Sequence, residues 1–136
     1  IELHVEIKSN KLNNKIIIAK IYSLIIKYKL QKKIIISSFN PFVLSTFKRF
    51  NHSIRLGMLW TRCPNEPWFI THYSYYKIKP DSLHASIEYI TAEMVEWAKS
   101  KNMKLYYYTV NSLSNLQKAK SLHADGIFSD YPNLLK

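Results

Sequence analysis

The chain has 136 residues, is 47% hydrophobic and carries a formal net charge of +11. That length bounds it to one domain or part of one, and the apolar content excludes a disordered chain. The longest apolar stretch, Ile16–Leu30, is broken by Lys20, Lys27 and Lys29 and so is no transmembrane segment, while the lone Cys63 excludes an internal disulfide and a cysteine-rich metal site.

In chain order, Ile1–Lys8 (IELHVEIK) reads as a strand. Asn13 or Asn14 then caps a helix whose apolar positions Ile17, Ile18, Ile21, Leu24, Ile25 and Tyr28 follow helical spacing. Ile34–Phe39 is a β-branched run expected to be a buried strand. Asn40-Pro41 is an N-cap followed by proline at the first helical position, and Val43, Leu44, Phe47 and Phe50 form one face of the short helix. Ile54–Trp60 is the next strand. Thr61–Pro80 holds three of the five prolines and little periodicity, so a long loop with at most a short helix is expected there.

Leu83–Tyr89 is a weaker strand, and Thr91 caps a helix carrying Met94, Val95, Trp97 and Ala98. Lys104–Val110 is a tyrosine-rich strand. Ser112 caps the helix of Leu113, Leu116, Ala119 and Leu122, and a turn at Ala124-Asp125-Gly126 leads into a last strand at Ile127–Ser129. Strands alternating with helices at this spacing predict a parallel sheet with right-handed crossovers. Gly57 and Gly126 are the only glycines, which excludes a glycine-rich phosphate loop or dinucleotide fingerprint.

The strand-like runs are apolar through their bodies and polar at their exits: Glu6 and Lys8, Ser38, Asn111, Asp130. Parallel α/β folds build their sites at strand C-termini, so these exits are the candidate site. The basic residues are 17 Lys and 3 Arg, read along the sequence as scattered, with no longer run than pairs such as Lys32–Lys33. Nucleic-acid surfaces favour arginine and clustered charge, so no nucleic-acid partner is expected. The chain opens at Ile1 inside a strand, which points to a fragment, an incomplete reading frame or a processed N-terminus; no signal-peptide pattern is visible, which slightly favours a cytoplasmic location.

Val5-Glu6-Ile7-Lys8, Ser38-Phe39, Thr109-Val110-Asn111 and the run Asp125 to Pro132 (DGIFSDYP) occur in an order and spacing that resembles the glycerophosphodiester phosphodiesterases. Asn40-Pro41 with its helix, and Arg55–Leu59 as the following strand, are similar too. The resemblance covers essentially the whole chain as one unit, 1–136. It implies an incomplete TIM (β/α) barrel, roughly its C-terminal half, that hydrolyses small-molecule glycerophosphodiesters to glycerol 3-phosphate and an alcohol, in lipid metabolism, with a divalent metal, Mg2+ or Ca2+. The family's opening His-Arg-Gly strand, its Glu-x-Asp pair and its His-Asp are absent from this sequence, and its five histidines lie in none of those contexts. Tyr108 stands where the family has tryptophan, and Ser129 where it has threonine.

The resemblance implies that Glu6 is a metal ligand, that Lys8 is catalytic, and that Phe39, Tyr108, Ser38, Asn111 and Trp60 bind substrate. A hard cation held by carboxylates neutralises phosphodiester oxygens, and histidines move protons to the leaving group. Glu6 and Lys8 share a strand face because side chains alternate. Inside a barrel such a pair needs a metal, a phosphate or each other. An ordinary ion pair or a solvated edge strand is the alternative for these two, core packing for Phe39, helix capping for Asn111, turn-fixing for Asp130 and interior filling for His4. With one metal carboxylate and neither family histidine, the isolated chain is expected to be inactive and to bind divalent metal weakly. A cut barrel would expose two edges, which predicts self-association or pairing with a missing N-terminal half. A catalytically inactive remnant or non-catalytic binding module is the alternative function, and a basic nucleic-acid-binding domain is a weaker third.

Overall fold

A computed structural model describes residues 2–9, 15–51, 53–62 and 68–135. The elements are β1 (Leu3–Glu6), α1 (Lys15–Lys27), β2 (Ile34–Ser38), α2 (Pro41–Phe50), β3 (Arg55–Trp60), α3 (Trp68–Ile78), β4 (Ser82–Ser86), α4 (Ala92–Ser100), β5 (Lys104–Tyr108), α5 (Leu113–Ser121), β6 (Gly126–Ile127) and a short 3-10 turn at Pro132–Leu135. The chain divides into two compact units, residues 1–58 with 67–80, and residues 59–66 with 81–136.

In the first unit β1 pairs parallel with β2, and β2 with β3. β2 is buried along its whole length, as its Ile34-Ile35-Ile36 run demands of a strand covered on both faces. Ile34, Ile36 and Leu56, Ile18 and Ile25 of α1, and Val43, Leu44 and Phe47 of α2 are all buried and make up much of this unit's core. The expected helical face of α1 is only partly buried: Ile18 and Ile25 are covered, whereas Ile17, Leu24 and Tyr28 are exposed. Its expected caps, Asn13 and Asn14, lie outside the described residues, as do Cys63 and His52. α2 starts as its sequence dictates, with the Asn40 side chain accepting from the Phe42 amide at 2.9 Å and Pro41 at the first turn.

The segment expected to be a long loop contains the eleven-residue α3. Its three prolines, Pro64, Pro67 and Pro80, all fall outside the helix and bracket it. The apolar pattern is blurred because Tyr73 and Tyr76 are exposed while Ser74 is buried beside Ile78 in the helical order.

In the second unit β4 pairs parallel with β5, and β5 with β6. α4 and α5 begin at Thr91 and Ser112, whose hydroxyls accept the Met94 and Asn115 amides. The two faces of this sheet differ. On one, Leu83, Ala85, Leu105 and Tyr107 are buried. On the other, Ser82 and His84 lie in register with Lys104 and Tyr106. His84 is fully buried, 2.9 Å from the Ser82 hydroxyl, with ring centroids of Tyr106 and Phe128 at 5.0 and 5.3 Å. Gly126 is required beside them, since a Cβ there would come within 2.9 Å of the Tyr106 ring.

All four strands of the sequence reading that were drawn out to their polar exits stop earlier. β1 ends at Glu6, β2 at Ser38, β5 at Tyr108 and β6 at Ile127. Ladder-like backbone bonds continue a residue or two beyond three of them, from Ile7 to Ser37, Val110 to Phe128 and Phe128 to Tyr107. Glu6 and Ser38 are thus the last residues of their strands, whereas Lys8, Asn111 and Asp130 lie just beyond theirs.

Candidate active site

Two exit clusters arise from parallel pairing, one in each unit. In the first unit Glu6 is in register with Ser37, and Ser37 with Gly57. Ile7 is buried, and Glu6 and Lys8 on either side of it are both exposed. The pair thus lies opposite the core side of the β1 exit. Both charges are solvated, so burial does not force them to find a partner in this chain.

Ser38 is placed differently from its expected substrate-facing position. Its hydroxyl donates to the Ile7 carbonyl at 2.7 Å and accepts the Asn40 amide at 3.1 Å. Asn40 in turn donates from Nδ2 to the Ser9 carbonyl at 3.0 Å. These bonds stitch the β1 exit to the start of α2 and so hold the loop that carries Lys8. The serine in register with Glu6 is Ser37. A uniformly buried strand shows no alternation from which that could be read. Phe39 is 51% exposed, which rules out core packing and leaves an aromatic surface at the same exit.

At the opposite end of the strands, Glu2 pairs with Arg55 and lies 3.3 Å from His4. Partial burial works to raise the Glu2 carboxyl, but the hydrogen bond and charge of Arg55, with His4, outweigh it and hold the group below its ordinary range. Glu2 and Glu6 are the only carboxylates of this unit, and Glu2 is committed to Arg55.

In the second unit Tyr108 is half-buried and donates its hydroxyl to the Trp60 carbonyl at 2.8 Å, so two expected substrate-binding residues meet there. Asn111 donates from Nδ2 to the Asp130 carboxylate at 2.7 Å, and its Oδ1 accepts the Asp130 amide at 3.0 Å and the Ser129 hydroxyl at 3.3 Å. Ser129 also accepts the Tyr131 amide at 3.0 Å. Asn111 is therefore not the helix cap, a position held by Ser112. Asp130 fixes the terminal turn. Lys118, which the sequence did not single out, reaches from α5 to the Ile87 carbonyl at 2.6 Å and braces the β4 exit.

Among the described residues, no group of three or more His, Cys, Asp or Glu side chains converges as a metal site would require. Hard divalent cations take about six or more oxygen ligands. Glu6 offers one carboxylate beside an ammonium, so the described residues do not by themselves fit a divalent metal. No helix among them is long and apolar enough to cross a membrane.

A sequence model of the glycerophosphoryl diester phosphodiesterase family matches residues 1–134. A glycerophosphodiester phosphodiesterase of Caldanaerobacter subterraneus subsp. tengcongensis is 29% identical over 133 residues, covering 98% of this chain and 53% of the relative. A structure from Galdieria sulphuraria assigned to the same enzymes superposes with a TM-score of 0.84 at 20% identity, over 99% of this chain and 56% of its own. An Oleispira antarctica phosphodiesterase, solved with the product sn-glycerol-3-phosphate, gives a TM-score of 0.73 at 22% identity, over 97% of this chain and 52% of its own. The fold class is thus the (β/α) barrel of these enzymes, built from the parallel β-α repeats seen in each unit, and the chain spans about half the length of the relatives it matches. By the match over nearly its full length, the chain belongs to the glycerophosphoryl diester phosphodiesterase family.

Proposed function

We propose that this chain supplies part of the apparatus of a hydrolase that cleaves glycerophosphodiesters to glycerol 3-phosphate and an alcohol, as in lipid metabolism. The observation that carries the proposal is the exposed Glu6–Lys8 pair on one side of the β1 exit, in a chain of this family. Lys8 provides a mobile ammonium that draws the anionic phosphodiester toward the exits. Glu6 would offer one oxygen to a divalent cation, Mg2+ or Ca2+, and no second carboxylate converges on it among the described residues. A bound cation of this kind supplies charge neutralisation at the phosphoryl oxygens. Phe39 presents an aromatic surface for the glycerol or alcohol portion, and the Tyr108–Trp60 contact fixes a second aromatic at another strand exit.

Because no donor set converges among the described residues, we propose that the chain is inactive alone. Groups that act together leave little activity when some are missing. The test is to incubate pure chain with glycerophosphocholine and Mg2+ or Ca2+ and to assay glycerol 3-phosphate, with calorimetric titration of the metal alongside. No turnover and no saturable micromolar site are expected. Turnover near 1 per second, a low but ordinary enzyme rate, would refute the proposal, and so would a tight metal site abolished by Glu6→Gln.

The lack of a converging donor set among the described residues also favours a second reading, a binding module or inactive remnant that never completes the site. It differs in predicting that no complementing segment restores hydrolysis.

A further inference from the structure

From Ile7 to Asn65 the sequence contains twelve Lys and Arg and no Asp or Glu. Read along the chain these cations look scattered; the fold sorts them. The first unit carries thirteen basic residues and two acidic ones, the second seven of each, so the whole excess charge of +11 belongs to the first unit.

That charge coincides with exposed apolar side chains. α1 buries Ile18 and Ile25. On its opposite side Ile16, Lys20, Leu24 and Lys27 recur at helical spacing. Ile16 is 77% exposed and Leu24 52%, and both lysines are exposed. Lys27 also lies 5.4 Å from the centre of the exposed Tyr28 ring. The neighbouring α2 ends with exposed Phe50 beside Lys48 and Arg49, and the Tyr22 and Phe50 rings, 5.5 Å apart, join the two helices. A helix that presents aliphatic side chains flanked by lysines and no carboxylates suits the boundary between anionic headgroups and acyl chains.

We propose that the outer face of α1, with the end of α2, docks the first unit on an anionic lipid bilayer. Charge complementarity selects this occupant over a second copy, because two such faces would each bring the same positive charge. Duplex nucleic acid matches the charge but gives no apolar phase for Ile16 and Leu24. Of the unit's two arginines, Arg55 is engaged with Glu2 and the Lys32 carbonyl. The proposal does not depend on the hydrolase reading.

The test is co-sedimentation of the chain with vesicles of phosphatidylcholine alone, or with about one-third phosphatidylserine, at about 0.1 M salt, where the screening length is ~10 Å. Binding to the anionic vesicles only is expected, falling as salt rises. Lys20→Gln with Lys27→Gln should weaken it about thirtyfold, at ~1 kcal/mol per surface cation. Ile16→Gln with Leu24→Gln should weaken it more than about tenfold through lost apolar insertion. Lys104→Gln with Lys120→Gln, which removes the same charge from the second unit, should leave binding unchanged. Circular dichroism checks that each variant folds. An equal loss in the second-unit variant would overturn the proposal by reducing it to net charge. Equal binding to neutral vesicles, no vesicle binding, duplex DNA binding insensitive to the Ile16 and Leu24 changes, or self-association abolished by those changes would each overturn it as well.

Discussion

Asn111 grips Asp130 with both ends of its amide. The Nδ2 group donates to the carboxylate at 2.7 Å, and Oδ1 accepts the Asp130 backbone amide at 3.0 Å. One side chain at the β5 exit thereby orders the segment after β6. Asn111→Ala should destabilise the chain by about 1–2 kcal/mol, the range for a hydrogen bond to a charged group at a partly exposed site. Asn111→Asp should cost more, because it sets two carboxylates face to face. Urea melts of the three proteins measure this, and an unchanged midpoint in Asn111→Ala would remove the clasp from the account.

Four helices end with a non-glycine residue in the left-handed region; Lys79, with φ 47°, is followed by Pro80, which has no amide hydrogen, and the other three share a closing bond. Lys29, Asn102 and His123 have φ of 53°, 55° and 56°. The following amide in each case reaches back to a carbonyl of the preceding helix: Leu30 to Ile25, Met103 to Ala98 and Ala124 to Ala119. That bond pattern favours glycine, and a Cβ there costs roughly 1 kcal/mol. His123→Gly should therefore stabilise the chain by about 0.5–1 kcal/mol, offset in part by the freer unfolded chain. Asn102→Gly should gain less, since asparagine tolerates this conformation best. Thermal melts of both variants provide the comparison.

The same features explain what could be read from sequence and what could not. The β-α order was legible because Asn40-Pro41, Thr91 and Ser112 are local capping signals and the strand bodies are β-branched or aromatic runs. α3 was legible only as a short helix within a loop, because Tyr73 and Tyr76 face solvent and the prolines that flank it in sequence look like loop punctuation. The exits were overdrawn because apolar pattern continues where ladder pairing thins out, as at Ile7 and Phe128. That Ser37 is the serine in register with Glu6 was not legible, because register is a relation between strands that β2's uniform burial does not reveal. The distribution of charge needed the partition of the chain into units before it meant anything.

Tyr107 gives a pH prediction. Burial, with the nearby Asp125 carboxylate adding to it, pushes its phenol up from 10.0 to about 12, while its hydroxyl donates to the Leu122 carbonyl at 3.2 Å. The folded state holds this proton more tightly than the unfolded one. Its stabilisation is therefore complete below pH 10 and is lost as pH rises from 10 toward 12. Tyr107→Phe removes that loss, so the stability difference between wild type and variant should shrink across this interval. A difference independent of pH there would show that Tyr107 ionises equally in both states.

The measurement that bears most directly on the central claim is a chimaera. This chain replaces the matching 53% of the Caldanaerobacter relative, and the relative's remaining portion is kept. Release of glycerol 3-phosphate from glycerophosphocholine is then compared for the chain alone, the chimaera and the chimaera carrying Glu6→Gln. The account predicts no release by the chain alone, release by the chimaera, and a loss of at least about a hundredfold on Glu6→Gln, the scale of a group that stabilises transition-state charge. Hydrolysis by the chain alone, a folded but inactive chimaera, or a Glu6→Gln chimaera as active as its parent would contradict it.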